Sequence, residues 1–287
     1  MAGGKTIFVA GATGNQGGAV ASFLSSNGFA VKGLSRKPDS SKARLHKGQN
    51  IELVKGNLNE PGSYRKHLEG VDGIFSVQHF KEGVDKEISQ GIALANLAKE
   101  SGIKHFLYSS VLGADLHSGV PAFESKFTIE NHIRSLGIPF TIIRPATLFE
   151  NFLIPQVKKG IDKGKLVQPI NKDTVVQYLA CADIGKAALR VFQQPENFLG
   201  KTIPLSAEQW STGEVADIFS RSLNRSVEYK RLHDIIVRLF LGKNLYIMFK
   251  WVNAETRVDK KDIEIAKTMF PDLMSLSSWI DQFFKGS

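Results

Sequence analysis

The first residues able to do chemistry are glycines. In Ile7-Phe8-Val9-Ala10-Gly11-Ala12-Thr13-Gly14-Asn15-Gln16-Gly17-Gly18, an apolar run enters a Gly-x-x-Gly-x-x-Gly turn that opens an apolar-periodic stretch. A strand turning this tightly into a helix offers free backbone N–H groups and the positive end of a helix dipole, and side-chain-free positions let a pyrophosphate approach. Gly11, Thr13, Gly14, Asn15, Gln16 and Gly17 are therefore assigned to a dinucleotide. The first gap is one residue longer than in the Gly-x-Gly-x-x-Gly fingerprint, so the weight rests on context: after an apolar strand and at the start of a helix. A carboxylate at the end of the second strand would bond a ribose 2′-hydroxyl. Leu34-Ser35-Arg36-Lys37 has none there. Arg36 can instead make charge-assisted bonds to a 2′-phosphate while Lys37 adds field, which points to NADP(H) rather than NAD(H).

These residues need a scaffold, and the pattern of the first half supplies it. Apolar runs at Thr6 to Ala10, Ala30 to Leu34, Ile51 to Lys55, Gly73 to Val77, His105 to Ser109 and Phe140 to Arg144 alternate with amphipathic stretches at Gln16 to Ser26, Lys86 to Ser101 and Glu124 to Leu136. Such alternation predicts βαβ units around a parallel sheet. Gly28, Gly102 and Gly137 each fall just past a predicted helix, where a left-handed cap favours glycine. The expectation is an α/β Rossmann-type, doubly wound parallel sheet over 1–150, with ligands at the carboxyl ends of its strands. After Pro145 the alternation breaks. Strands at Thr202 to Leu205 and Val227 to Arg231 mix with helices at Ala182 to Phe192, Thr212 to Ser222 and Ser275 to Phe284, predicting a smaller α+β lobe over 151–287, for a substrate or partner, packed against the first.

With 42% apolar and 23% charged residues, the chain has the composition of a globular protein rather than a disordered or membrane-embedded one. The apolar stretch Ile235 to Val252 is interrupted by Arg238, Lys243, Asn244 and Lys250, which excludes a spanning helix and predicts a packed or groove-lining one. Cys181 is the only cysteine, and no Cys/His cluster has zinc spacing, so neither disulfides nor a metal site is expected. The start of the chain lacks the succession of a secretory leader, and a reducing, cytoplasmic setting is expected. A formal charge of +9 with no nucleic-acid-binding motif suits an anionic cofactor better than nucleic acid.

Several short segments together resemble the NmrA-like family, an atypical branch of the short-chain dehydrogenase/reductase superfamily. They are the glycine turn, Ser35-Arg36-Lys37-Pro38, Gly56-Asn57-Leu58, Tyr108-Ser109-Ser110, Phe123-Glu124-Ser125-Lys126, Gly137-Ile138-Pro139, Arg144-Pro145-Ala146 and Leu148-Phe149-Glu150-Asn151-Phe152. The resemblance implies that Asn57 and Leu58 lie near the adenine, Gln78 near the cofactor at the fourth strand's end, and Lys126 near the nicotinamide ribose. It also implies that Leu148, Phe149, Glu150 and Asn151 run along the nicotinamide side, and that Ser109 and Ser110 sit where the superfamily orients a substrate, although serine at a βα junction is also an ordinary helix or turn cap.

The superfamily's usual Tyr-x-x-x-Lys pattern is incomplete: Lys126 is present, but Ala122 stands at the tyrosine position, where many NmrA-like members carry histidine. Lys126 is the one catalytic candidate on this helix, by likeness to isoflavone-reductase-like relatives, and a ribose ligand otherwise. His79, past the fourth strand, is either a further donor near the cleft or an exposed loop histidine, and Phe80 and Phe149 either line an apolar wall or pack in the core. Three functions follow. A regulator that responds to the state of NADP(H) and binds a protein partner is favoured by Ala122. An NADPH-dependent reductase of a quinone or other small electrophile is favoured by the C-terminal lobe, and a nucleic-acid-binding protein ranks last.

Overall fold

The structure, a computed structural model, describes residues 4–40, 50–254 and 259–286. The chain divides into two compact units: Met1–Leu116 with Phe123–Arg144 and Cys181–Ile203, and His117–Ala122 with Pro145–Ala180 and Pro204–Ser287. The sequence predicts one boundary near residue 150; in the structure the chain crosses between the units several times.

The first unit is built on a sheet of β1 (Thr6–Val9), β2 (Ala30–Ser35), β3 (Ile51–Lys55), β4 (Gly73–Ser76), β5 (His105–Ser109) and β6 (Phe140–Pro145). These are the six expected strands. The order is β10-β6-β5-β4-β1-β2-β3, with a seventh strand, β10 (Thr202–Leu205), beside β6. That strand was assigned to the C-terminal lobe from the sequence. Its backbone instead accepts from β6 in parallel register, Ile142 N to Lys201 O at 2.9 Å and Ala146 N to Leu205 O at 2.9 Å. An unpaired edge at β6 would leave backbone groups unsatisfied, and β10 covers it. The reversal of strand order between β4 and β1 opens a crevice at their carboxyl ends, where doubly wound sheets bind ligands.

Three helices follow their strands closely: α1 (Asn15–Ser26), α2 (Val84–Glu100) and α3 (Pro121–Ser135). The glycines expected to cap them, Gly28, Gly102 and Gly137, all have positive φ. The core on one face of the sheet joins Phe8, Ile74, Phe106, Tyr108 and Ile142 to Leu94, Ala95 and Ala98 of α2 and to Ile129 and Ile133 of α3. Arg144, at the end of β6, then grips Glu130 of α3 through Nε to Oε1 at 2.9 Å and NH2 to Oε2 at 2.7 Å. Its NH1 also meets Asp115 Oδ2 at 2.6 Å. A bidentate pair of this kind, with Glu130 fully buried, fixes the roll of α3 and hence where its side chains point.

The second unit holds β7 (Thr147–Leu148), β9 (Val175–Leu179) and β11 (Glu208–Ser211) in one small sheet, and β8 (Lys165–Gln168) paired with β12 (Glu228–Arg231) in another. Its centre is aromatic: Phe149, Phe152, Tyr178, Phe219, Trp279 and Phe284 meet with ring centroids 5.1 to 6.3 Å apart. The helix Thr212–Leu223 starts on a full capping box between Ser211 and Glu214. The stretch expected to form a packed or groove-lining helix is interrupted, with Lys243–Ala254 helical and largely half-buried. Gly242, at φ +87°, separates the contiguous segments Asp234–Ile236 and Val237–Leu241 from Lys243–Ala254, and Leu239 and Phe240 are 73% and 80% exposed. No helix among the described residues is long and apolar enough to cross a membrane.

Candidate cofactor site

The glycine turn has the shape its spacing predicts. Gly11 sits at φ +66°, a left-handed conformation that costs glycine little, and Gly14 N donates back to Gly11 O at 2.8 Å. A Cβ on Gly17 would lie 2.3 Å from Gly11 O and 2.7 Å from Ala10 O, so only glycine lets α1 pack this close to the end of β1. α1 has no acidic residue in its first turn. Its free N–H groups and dipole therefore meet an anion with no competing carboxylate on that turn. The residues present fit a dinucleotide pyrophosphate. Gln16 and Ser109, far apart in the chain, meet at this turn: Ser109 Oγ donates to Gln16 Oε1 at 2.7 Å, linking β5 to α1. Thr13 is half-buried, and Asn15 is exposed.

Arg36 and Lys37 emerge exposed at the end of β2, with Lys37 N donating to Ser35 Oγ at 3.1 Å. The guanidinium has a partner already, Glu82, with NH1 2.9 Å from Oε1. Asn57, at the end of β3, is folded into its own turn. Its Oδ1 accepts from Asn59 N at 3.2 Å and its Nδ2 donates to Glu60 Oε1 at 3.0 Å, while Leu58 is half-buried beside it.

Gln78 follows β4 and is buried, with Nε2 donating to Ser76 Oγ at 2.9 Å. Its backbone oxygen accepts from Lys126 Nζ at 2.8 Å. The lysine ammonium also lies 3.0 Å from Glu87 Oε1 and 5.6 Å above the Tyr108 ring. Glu87 is fully buried, and its other oxygen accepts from Ser125 Oγ at 2.5 Å. The Oε1 contact is Coulombic rather than aligned for a hydrogen bond, since Oε1 has no hydrogen-bonding partner among the described residues. The same holds for Gln78 Oε1, Tyr108 Oη and Ser110 Oγ, three further buried atoms of this region. Complete burial, together with the negative charges of Glu87 and Glu130, pushes the Tyr108 phenol well above its ordinary range, so it stays protonated.

His79 is exposed and caps the short turn Phe80–Glu82, its Nδ1 accepting from Lys81 N at 3.0 Å. Partial burial of the ring, and then the charges of Lys81 and Lys126, hold it below the usual histidine range. Ala122, one turn before Lys126 on α3, leaves that face without a hydroxyl or imidazole.

The remaining expected residues belong to the second unit. Phe149 is wholly buried in the aromatic core, so its ring packs rather than lining a wall. Glu150 Oε1 accepts from Trp279 Nε1 at 3.1 Å; Leu148 is half-buried and Asn151 exposed. Cys181, in the first unit, is buried at the start of the helix Cys181–Gln193. No group of residues among those described could hold a metal ion.

Sequence reasoning did not single out Glu82 or Glu87. For Glu87 a signal exists: it falls on the i, i+3, i+4, i+7 stripe with Gln90, Gly91 and Leu94, the buried face of α2, where an unpaired carboxylate would be costly. For Glu82, in a one-turn loop, there is none.

The chain has similar proteins. It is 30% identical over 262 residues to an NmrA-like family domain-containing protein of Dictyostelium discoideum, covering 83% of this chain and 86% of that one. Among solved structures, NmrA, a negative transcriptional regulator, in complex with NADP superposes with a TM-score of 0.81 at 23% identity, covering 98% and 95% of the two chains. An NADPH-dependent quinone oxidoreductase of Escherichia coli, complexed with NADPH, gives a TM-score of 0.81 at 21% identity, covering 97% and 99%. At these identities the structures speak for the fold, which is the α/β Rossmann type described above. The NmrA-like family pattern matches residues 3–281, nearly the whole chain, and the protein belongs to the NmrA-like family.

Proposed function

We propose that this protein binds NADP(H) and acts in the cytoplasm as a regulator that responds to the state of that cofactor. The observation that carries the reading is the glycine turn at the crevice between β1 and β4, with a cation, and no acid of its own strand, at the end of β2. Arg36 would meet the 2′-phosphate, and the first turn of α1 would hold the pyrophosphate. Lys126 donates one N–H to the Gln78 carbonyl and faces Glu87 across a Coulombic contact, so it has N–H groups to offer the ribose while Gln78 and Glu87 keep it in place. A regulatory rather than catalytic role is supported by Ala122 and by the protonated Tyr108, which is too deeply buried to deliver a proton to a substrate.

The second reading, NADPH-dependent reduction of a quinone or another small electrophile, has one observation in its favour: the same donor capacity of Lys126. The cofactor would supply hydride, and Lys126 or water the proton.

Calorimetry and steady-state assays on one set of variants test both. Arg36→Ala should cost NADPH about 1.5 to 3 kcal/mol of binding, the scale of a lost charge-assisted bond, and leave NADH nearly unchanged. Equal affinity of the wild type for the two cofactors would overturn the NADP(H) assignment. For a regulator, the wild type turns over no member of a panel of quinones, enals and ketones, and Lys126→Met weakens NADPH binding. Wild-type turnover of several per second, lost at least about 100-fold in a Lys126→Met protein still saturated with NADPH, would establish the reductase instead.

A further inference from the structure

Side chains that the nucleotide reading leaves unused tie together the ends of β2, β3 and β4. Glu82 closes the one-turn helix Phe80–Glu82 that follows β4, and both its oxygens are engaged. Oε1 meets Arg36 NH1 at 2.9 Å, and Oε2 accepts from Asn59 Nδ2 at 3.0 Å. Asn59 Oδ1 accepts in turn from Gln90 Nε2 of α2 at 2.7 Å. One end of this relay is fixed, because Gln90 is buried. The other is open: the Arg36 side chain is 69% exposed and that of Glu82 38%, so their pair sits in water-like surroundings and separates at small cost. The Asn59 hydrogen bond, then the charge of Arg36, hold the Glu82 carboxyl below its usual range, so it is an anion at neutral pH.

We infer that Glu82 is a specificity-determining residue, whose carboxylate competes with the 2′-phosphate of NADP(H) for the Arg36 guanidinium and leaves NAD(H) binding untouched. The inference rests on the proposal that Arg36 faces the 2′ position. A phosphate monoester brings roughly 1.5 to 2 negative charges at neutral pH. Set against a guanidinium that already holds a carboxylate at 2.9 Å, it meets a like charge within a few ångströms. One of the two anions must give way, and Glu82 keeps Asn59 as its alternative partner. A 2′-hydroxyl brings no charge and leaves the pair closed. Discrimination between the two cofactors is thereby held below what Arg36 alone would give, in a chain whose β2 end bears no acid to bond the hydroxyl.

The test is calorimetric titration of the full chain with NADP⁺ and NAD⁺, using the wild type, Glu82→Gln, Arg36→Ala and the double variant. Glu82→Gln keeps the amide contact to Asn59 within reach and removes only the charge. It should bind NADP⁺ about three- to tenfold more tightly, with NAD⁺ affinity within twofold of wild type. In the Arg36→Ala background the gain should vanish. Unchanged or weaker NADP⁺ binding by a folded Glu82→Gln protein would overturn the inference, as would an equal gain for NAD⁺. Failure of the underlying assignment reads differently: Arg36→Ala alone would leave NADP⁺ affinity where it was.

Discussion

Two glutamates close together in the chain, Glu82 and Glu87, each hold a cation of the candidate site, and their surroundings set them opposite tasks. Glu87 is fully buried on α2 against Lys126, whose side chain is 10% exposed. Glu82 meets Arg36 in the open. The distances are nearly equal, 3.0 Å and 2.9 Å, so geometry does not separate them. The medium does: attraction between two charges at a fixed distance scales inversely with the effective dielectric constant, and water-exposed pairs are further weakened by salt. The buried pair is a fixture, with Ser125 donating to the other Glu87 oxygen and the Gln78 carbonyl accepting from Lys126. The exposed one is a contact that a ligand can replace. The two cations of the candidate site are thus held differently, Lys126 by a buried fixture and Arg36 by an exchangeable contact.

The largest effect should come from breaking the fixture. Glu87→Ala strands the Lys126 ammonium in a buried position with only a carbonyl for a partner, and removing one member of a buried pair typically costs about 3 to 5 kcal/mol. Glu82→Ala should leave stability unchanged within error. Urea unfolding of the two variants measures the contrast directly. Equal losses would mean that burial does not distinguish the pairs and that the comparison fails.

The same division between local and distant causes decides what could be seen in the sequence. The strands Ile51–Lys55 and His105–Ser109 have the predicted bounds, and the glycine turn and three helix-capping glycines were legible, because turn and cap chemistry is written within a few neighbouring residues. The seventh strand was visible as a strand but not as a member of the large sheet, since its pairing with β6 joins segments some sixty residues apart. Lys126 was identified through likeness to a family, yet its partners Gln78 and Glu87 come from other elements, and no spacing on α3 announces them. In the Ile235 to Val252 stretch the apolar pattern announced helix but not its interruption at Gly242, nor that Leu239 and Phe240 stand in solvent.

A smaller effect follows from a buried group with no countercharge. His105, at the start of β5, is 3% exposed, with Nε2 2.7 Å from Thr141 Oγ1 and its ring edge-on to Phe192. Burial, with a smaller contribution from the charge of Lys5, pushes it down to about 4. An unfolded histidine titrates near 6.5. Between those values the unfolded chain binds the proton and the folded one does not, so stability is fully present above pH 6.5 and is lost as the pH falls toward 4. The loss attributable to this residue is on the order of 3 kcal/mol. Urea unfolding at pH 7 and pH 4.5 should show the wild type losing more than His105→Gln, which can keep a bond to Thr141 without titrating. Parallel losses in both proteins would mean that the ring is hydrated or takes up its proton without unfolding.

The glycine turn gives a third and still smaller test, on rigid backbone instead of charge. Alanine for glycine inside a helix ordinarily gains up to about 1 kcal/mol. At Gly17 the added methyl would stand 2.3 Å from a backbone oxygen, which cannot swing aside as a side chain would. Gly17→Ala should therefore destabilise the protein by about 1 to 3 kcal/mol, the usual cost of overpacking. It should also weaken NADPH and NADH alike, because the turn serves the part common to both cofactors. A loss confined to NADPH would place the clash nearer the 2′-phosphate than the pyrophosphate.

The smallest effect belongs to the exposed pair and is read in salt. If Arg36 faces the 2′-phosphate as proposed, its guanidinium acts at low ionic strength over a long screening distance, about 30 Å at 0.01 M against about 8 Å at 0.15 M. The ratio of NADPH to NADH affinity should thus fall by about two- to fivefold as sodium chloride rises from 0.02 to 0.3 M. In Arg36→Ala the ratio should start low and stay flat. Glu82→Gln should begin from a higher ratio and fall more steeply, since its guanidinium has no internal counterion to screen it beforehand. Lys126 carries its counterion with it in a buried pair, so Lys126→Met should shift both affinities while leaving the slope of their ratio as in the wild type. Any change of that slope in Lys126→Met would show that the buried pair also senses the 2′ position, and the division of the site into a fixed and an exchangeable cation would have to be abandoned.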